Sequence, residues 1–257
     1  MMGLERGIVI KSQAELSLMR ESGRVNALAL EAARQMIKPG VTTQEIDEAV
    51  AEVIRKHGGK PAFLGVPGAY PYPATITISI NEEMVHGIPG KRKLREGDIV
   101  SVDCGTILDG FVSDAAFTMG VGEISEQARH LIEVTEKALY IGIEQLRVGN
   151  RIGDVGSAIQ KYVEGAGYHV PREYTGHGVG RAMWEGPQVP NYGTPGRGIP
   201  LRVGMAIALE PMVLVGTRET RVKPDQWTVV SKDGSLTAHF EHTVAITENG
   251  PKILTIP

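Results

Sequence analysis

The chain has 257 residues, long enough to bury a large core without a disulfide or metal staple. Its 42% hydrophobic and 22% charged residues are ordinary for a soluble globular protein. A formal net charge of −3 leaves no basic footprint for nucleic acid and no polybasic membrane patch, and the single cysteine, Cys104, excludes an intrachain disulfide or a cysteine-rich zinc site.

Glu5, Arg6 and Lys11 interrupt the first apolar stretch, so neither a signal peptide nor a transmembrane helix is expected, and the expected location is the cytoplasm. Ser12-Gln13-Ala14-Glu15 has the form of a capping box. An amphipathic helix should follow through Met19, Val25, Leu28, Ala32 and Met36, stopped by Pro39-Gly40. A second box, Thr42-Thr43-Gln44-Glu45, opens a helix that ends at Gly58-Gly59. The β-branched run 74–80 reads as a strand. Segments 98–106 and 112–120 read as a hairpin across Leu108-Asp109-Gly110. Helices are expected over about 125–146 and 152–165, then further strands.

This order repeats. Ala29-Leu30 recurs as Ala138-Leu139, Gly40 as Gly149 and Ala49 as Ala158. The stretch from Arg95 to Asp103 lies over that from Arg202 to Glu210, so one acid falls on another at the end of an otherwise apolar strand. The expected fold is α+β: two halves related by a pseudo-twofold axis, approximately 12–122 and 123–257, within a single domain spanning 1–257.

Across the hairpin, Asp103 should oppose Ala116 and Asp114 should oppose Gly105, so both acids project from one face. Glu210 ends a strand in the second half, and Glu241 mirrors Asp114 there. Four carboxylates converging on an apolar sheet are strongly destabilising unless paired, and no Lys or Arg lies on those strands. Two divalent cations would neutralise them. His177, in the glycine-dense loop Gly176-His177-Gly178-Val179-Gly180, completes the donor set. One imidazole among oxygen ligands suits Co, Mn, Fe or Zn. Water shared by two such ions would attack a polarised carbonyl, which gives metal-assisted hydrolysis.

The chain closely resembles the type I methionine aminopeptidases. The resemblance is carried by the segment from Ser79 to Pro89, by Val102-Asp103 with Asp109 to Asp114, and by Gly176 to Arg181. Glu210-Pro211-Met212 and Phe240-Glu241-His242-Thr243 extend it. It implies the pita-bread, creatinase-like fold: an antiparallel-rich curved sheet shared by both halves, with helices on its outer face. It also implies a hydrolase that removes the initiator methionine from nascent proteins and from peptides with a small second residue, using water activated at a dinuclear metal site.

By position, the resemblance makes Asp103, Asp114, His177, Glu210 and Glu241 the ligands of two ions, with Asp114 and Glu241 bridging. Glu210 would also exchange protons with the water. His86 would hydrogen-bond near the scissile amide or protonate the leaving amine. The methionine pocket corresponds to Phe63, Tyr72, Thr77, Met183 and Trp227. Implied partners are N-terminal methionyl peptides and nascent chains, with transient ribosome association, no DNA, no membrane, and a monomeric state. One position departs: Trp184 stands where the family usually carries a second histidine, next to the substrate. Two other readings are a proline-specific aminopeptidase or dipeptidase of the same fold, and a non-catalytic creatinase-like binding module. His239 shares a face with Glu241, whereas His242 and Cys104 should face away from the acids.

Overall fold

Both capping boxes form. In the computed structural model, which describes residues 7–257, helix α1 (Gln13–Met36) opens where the Ser12 hydroxyl accepts from the Glu15 amide. Glu15 in turn accepts from the Ser12 amide at 2.9 Å. Helix α2 (Thr43–Lys56) starts in the same way at Thr42 and Glu45. Glu5 and Arg6 lie outside the described residues. Among those described, no helix is long and apolar enough to cross a membrane.

The face that α1 buries differs from its apolar stripe. Met19 and Val25 are buried, but Leu28, Ala32 and Met36 are half-buried, and Ser22 and Asn26 are fully enclosed. The reason is that this face rests on strand backbone. The Ser22 hydroxyl donates to the Thr106 carbonyl at 3.0 Å, and the Asn26 amide donates to the Cys104 carbonyl at 2.7 Å. A pattern of apolar residues cannot register such polar packing.

Strands β1 (Lys60–Pro61), β2 (Ile76–Ile80) and β3 (Glu83–Val85) precede the hairpin of β4 (Ile99–Leu108) and β5 (Phe111–Gly120). Its turn is Asp109-Gly110, with φ of 50° and 76°, the two-residue geometry that matches the twist of the flanking strands. The ladder opposes Asp103 to Ala116 and Gly105 to Asp114, the expected register. Helices α3 (Glu126–Gln145) and α4 (Ile152–Gly165) follow. The remaining strands are β6 (Thr175–Gly178), β7 (Glu185–Pro190), β8 (Ala206–Leu209), β9 (Met212–Leu214), β10 (Thr220–Val222), β11 (Val229–Ser231), β12 (Thr237–His239), β13 (Glu241–Thr247) and β14 (Gly250–Ile253).

One antiparallel sheet runs β1-β4-β5-β13-β8-β6-β7, with β2 also on β4 and β14 also on β13. Strands β10-β11-β3 and β12-β9 form two small sheets. Val102, Cys104, Ala115 and Phe117 join a core with residues of all four helices. Because side chains alternate, Asp103 and Asp114 project from the opposite face of the hairpin.

Strands β3 and β11 join the two halves in a small sheet. Within the large sheet, the strands of the halves meet where β5 pairs with β13, and that ladder is only Glu241 with Ala116 and His242 with Ala115. On either side of it a threonine takes over. The Thr243 hydroxyl accepts from the Asp114 amide at 2.9 Å and donates to the Asp114 carbonyl at 2.8 Å. The Thr118 hydroxyl does the same for His239, at 2.9 and 2.7 Å. Thr243→Val keeps the shape but strips both backbone groups of Asp114 of their partner. It should cost about 2–4 kcal/mol, read as a lower urea midpoint at unchanged m-value, and Thr243→Ser should recover most of the loss.

Candidate metal centre

Four carboxylates come together on the sheet face away from the helices. Asp103 sits within β4 and Asp114 within β5, Glu241 opens β13, and Glu210 directly follows β8. Asp103, Asp114 and Glu241 are buried and Glu210 is half-buried. Within ion-pair distance of these acids the described residues offer only imidazoles. Burial pushes Asp103 up to about 7. It also holds Asp114, Glu210 and Glu241 well above the usual carboxylate range, with repulsion between the acids adding to it.

The donor set suits a divalent ion. Asp103 Oδ1, Asp114 Oδ1 and Glu241 Oε1 are buried without a hydrogen-bond partner, so three acceptors lack any donor from the protein. Asp114, His177 and Glu241 place ligand atoms within 4.8 Å of one another. His177 is oriented for the task. Its Nδ1 donates to the Gly178 carbonyl at 2.9 Å, so the lone pair is on Nε2. That atom faces Asp114 Oδ2 at 3.8 Å and Glu210 Oε1 at 3.6 Å. Burial also lowers the pKa of the ring, which favours the neutral form.

His177 lies in a strand, where the glycine-dense sequence suggested a loop. Strand β6 pairs with both β7 and β8. Gly176 and Gly178 are packing residues: a Cβ on the first would meet the Ala208 carbonyl, and one on the second the Gly186 carbonyl. Glycine composition reports close approach as readily as it reports a turn.

The cluster opens into a cavity of about 640 Å³. Of the residues expected to contact substrate, Phe63, Tyr72, Thr77, His86, Trp184 and Trp227 line it. Met183 does not; it packs in the apolar cluster that also holds Phe63. Tyr72 and Trp227 meet edge to face at 5.1 Å, and the Tyr72 hydroxyl donates to the Gly87 carbonyl at 2.9 Å. His86 has a left-handed backbone, φ 62°, and burial pushes its imidazole down to about 4, so the ring is neutral at pH 7. Trp184 is 58% exposed, its ring centroid 6.4 Å from that of His177.

His239 ends β12 with Nε2 3.9 Å from both Glu210 Oε2 and Glu241 Oε2. His242 turns away and bonds Thr255 through Nδ1, and Cys104 is buried in the helix-side core. Val66, Val85, Tyr174, Gln188 and Met212 also line the cavity without having been singled out in the sequence. Gln188 could have been found only through its register, since it opposes His177 across β6 and β7.

A family model, metallopeptidase family M24, matches residues 17–248. A methionine aminopeptidase of Clostridium perfringens is 48% identical over 97% of this chain and 99% of its own. The crystal structure of methionine aminopeptidase from Thermotoga maritima superposes with a TM-score of 0.94 at 48% identity, covering 97% of this chain and all of that one. A prolidase from Pyrococcus furiosus superposes at 0.78 with 24% identity; this chain covers 66% of it. That second likeness shows the fold alone. Together the two bear out the expected pita-bread architecture.

The raised carboxyl pKa values predict how the metal-free protein responds to pH. The folded state retains protons that the unfolded chain has already released, so its stability falls as pH rises. His86, His239 and His242, pushed down to about 4, 3 and 4, act in the opposite direction, but only below their ordinary value of 6.5. Between about pH 6.5 and 8 the carboxylates therefore dominate. Calorimetry in EDTA should show stability falling by up to about 1.4 kcal/mol per pH unit for each retained proton. Saturating Mn(II) should flatten the profile; a flat metal-free profile would count against the carboxyl shifts.

Proposed function

The chain belongs to metallopeptidase family M24, and from that membership we propose that it removes the N-terminal methionine from peptides and nascent chains whose second residue is small. The observation that carries this reading is a cluster of four acids and His177 opening into a cavity walled by Phe63, Tyr72 and Trp227. The family uses divalent metal. The finer reading is two ions, of Co, Mn, Fe or Zn, which Asp103, Asp114, His177, Glu210 and Glu241 would hold. Bound there, they supply Lewis acidity that acidifies water and polarises an amide carbonyl.

The chain's own residues do the rest. Glu210 takes a proton from the attacking water and passes it to the departing amine. His86, neutral at pH 7, acts as a hydrogen-bonding group at the scissile amide rather than as a cationic acid. Phe63, Tyr72, Thr77 and Trp227 receive the unbranched thioether side chain. Each half of the domain, about 12–122 and 123–257, contributes two of the acids, which favours a single catalytic unit. Action on nascent chains places the protein in the cytoplasm. The retained ligand set argues against a non-catalytic module, and the 48% identity to methionine aminopeptidases outweighs the fold-level likeness to prolidase.

Mn-loaded protein incubated with Met-Ala-Ser and Ala-Pro peptides should release free methionine and no alanine. Asp103→Ala should lower methionine release by about a hundredfold or more; full activity in that variant would remove the metal assignment. Trp184→His should raise kcat/KM on Met-Ala-Ser by about 100-fold or more, the value of one regained transition-state donor. No rise would show that Trp184 costs the reaction nothing.

A further inference from the structure

Two imidazoles lie beside the carboxylate cluster, and they are held differently. His177 is pinned at Nδ1 by the Gly178 carbonyl, which turns a lone pair toward the acids. His239 has no hydrogen bond at either ring nitrogen among the described residues, so nothing forces its proton onto Nδ1. Its backbone is fixed at both N–H and C=O by the Thr118 hydroxyl, which is itself bonded to the Ser101 hydroxyl at 2.8 Å. Its Nε2 is buried and unpartnered, 3.9 Å from Glu210 Oε2 and 3.9 Å from Glu241 Oε2.

An ionised carboxylate can only accept hydrogen bonds. A ring nitrogen set between two of them is therefore favourable as N–H and unfavourable as a lone pair. We propose that His239 is a positioning residue of the metal centre: its Nε2–H reaches between Glu210 and Glu241 and holds both carboxylates in the rotamers that receive the ions. This rests on the reading of the cluster as a metal centre.

The two oxygens of Glu210 then have different neighbours. Oε1 lies nearest His177, at 3.6 Å, and Oε2 nearest His239. A donor on Oε2 leaves Oε1 for the ion and spreads the charge that two adjacent acids would otherwise present to each other. At 3.9 Å neither contact is yet a hydrogen bond. Ion binding requires the carboxylates to be charged, and charging them strengthens the pull on a neighbouring donor. His239 in this role is a neutral donor, whereas His177 is a neutral acceptor of metal.

The test compares wild type with His239→Gln, which keeps an N–H donor on a side chain of similar reach, and with His239→Leu, which has none. Metal-free protein is titrated with Mn(II) by calorimetry, and the visible spectrum of the Co(II)-saturated protein is recorded. Leu should weaken Mn(II) binding by about 10- to 100-fold, the usual effect of losing a group that orients metal ligands, while Gln stays within about threefold of wild type. The Co(II) bands should be unchanged in all three, because His239 is not a ligand. If Leu does not fold, His239→Met, also flexible and without a donor, carries the same comparison. Wild-type affinity in the Leu or Met variant overturns the proposal. So does a Gln variant as weak as Leu with shifted Co(II) bands, which would make His239 a ligand. A wild-type protein that binds no Mn(II) overturns the metal-centre reading itself, and so the two failures are distinguishable.

Discussion

Four carboxylates are gathered on one apolar sheet face with no lysine or arginine of the described residues within reach, and the rest of the structure is arranged to hold them there. Left as ionised groups in a poorly hydrated setting, they repel one another and raise each other's pKa. A fold that tolerates this needs a rigid frame, since a flexible one would move the acids apart into water. The frame here is a sheet with all four helices packed against its other face, so that alternation alone decides which residues of β4 and β5 enter the core and which enter the site.

Rigidity continues into the backbone around each acid. Asp114 is tied to Thr243 through both of its backbone groups, and the Glu210 carbonyl accepts from the Asn191 amide at 2.9 Å. His177 rides on a strand whose glycines let neighbouring carbonyls press close. These contacts use hydroxyls, amides and missing side chains where a hydrophobic core would use methyl groups. They fix position, which matters more to a ligand set than added buried area does.

The same contacts mark the limit of what could be read in advance. Hairpin register was legible because Asp109-Gly110 specifies a two-residue turn, and one turn then places Asp103 and Asp114 on one face. The repeat of Arg95–Asp103 in Arg202–Glu210 pointed to Glu210, and extending it put Glu241 in the place of Asp114. Pocket residues such as Phe63 and Trp227 came from resemblance to known enzymes, because nothing local distinguishes a pocket aromatic from a core one. Met183 illustrates this: it was expected in the cavity and packs beside it. The buried face of α1 and the strand at His177 were misread for a common reason. Ser22 and Asn26 bond strand carbonyls through their side chains, Gly176 and Gly178 sit where carbonyls press close, and such contacts exist only once distant segments have come together.

The narrow junction between β5 and β13 gives the ions a second physical meaning. Only two residue pairs join these strands directly, and Asp114 and Glu241 stand on opposite sides of the join. An ion shared by those two carboxylates would close a covalent-like loop through all the intervening chain, including α3 and α4. Closing a long loop removes entropy from the unfolded ensemble, and any ligand that binds only the folded state adds RT ln(1 + [L]/Kd) to its stability. In a chain with a single cysteine, metal bound there would thus serve as the cross-link that a disulfide supplies elsewhere, one that a chelator can open and a change in metal supply can tune.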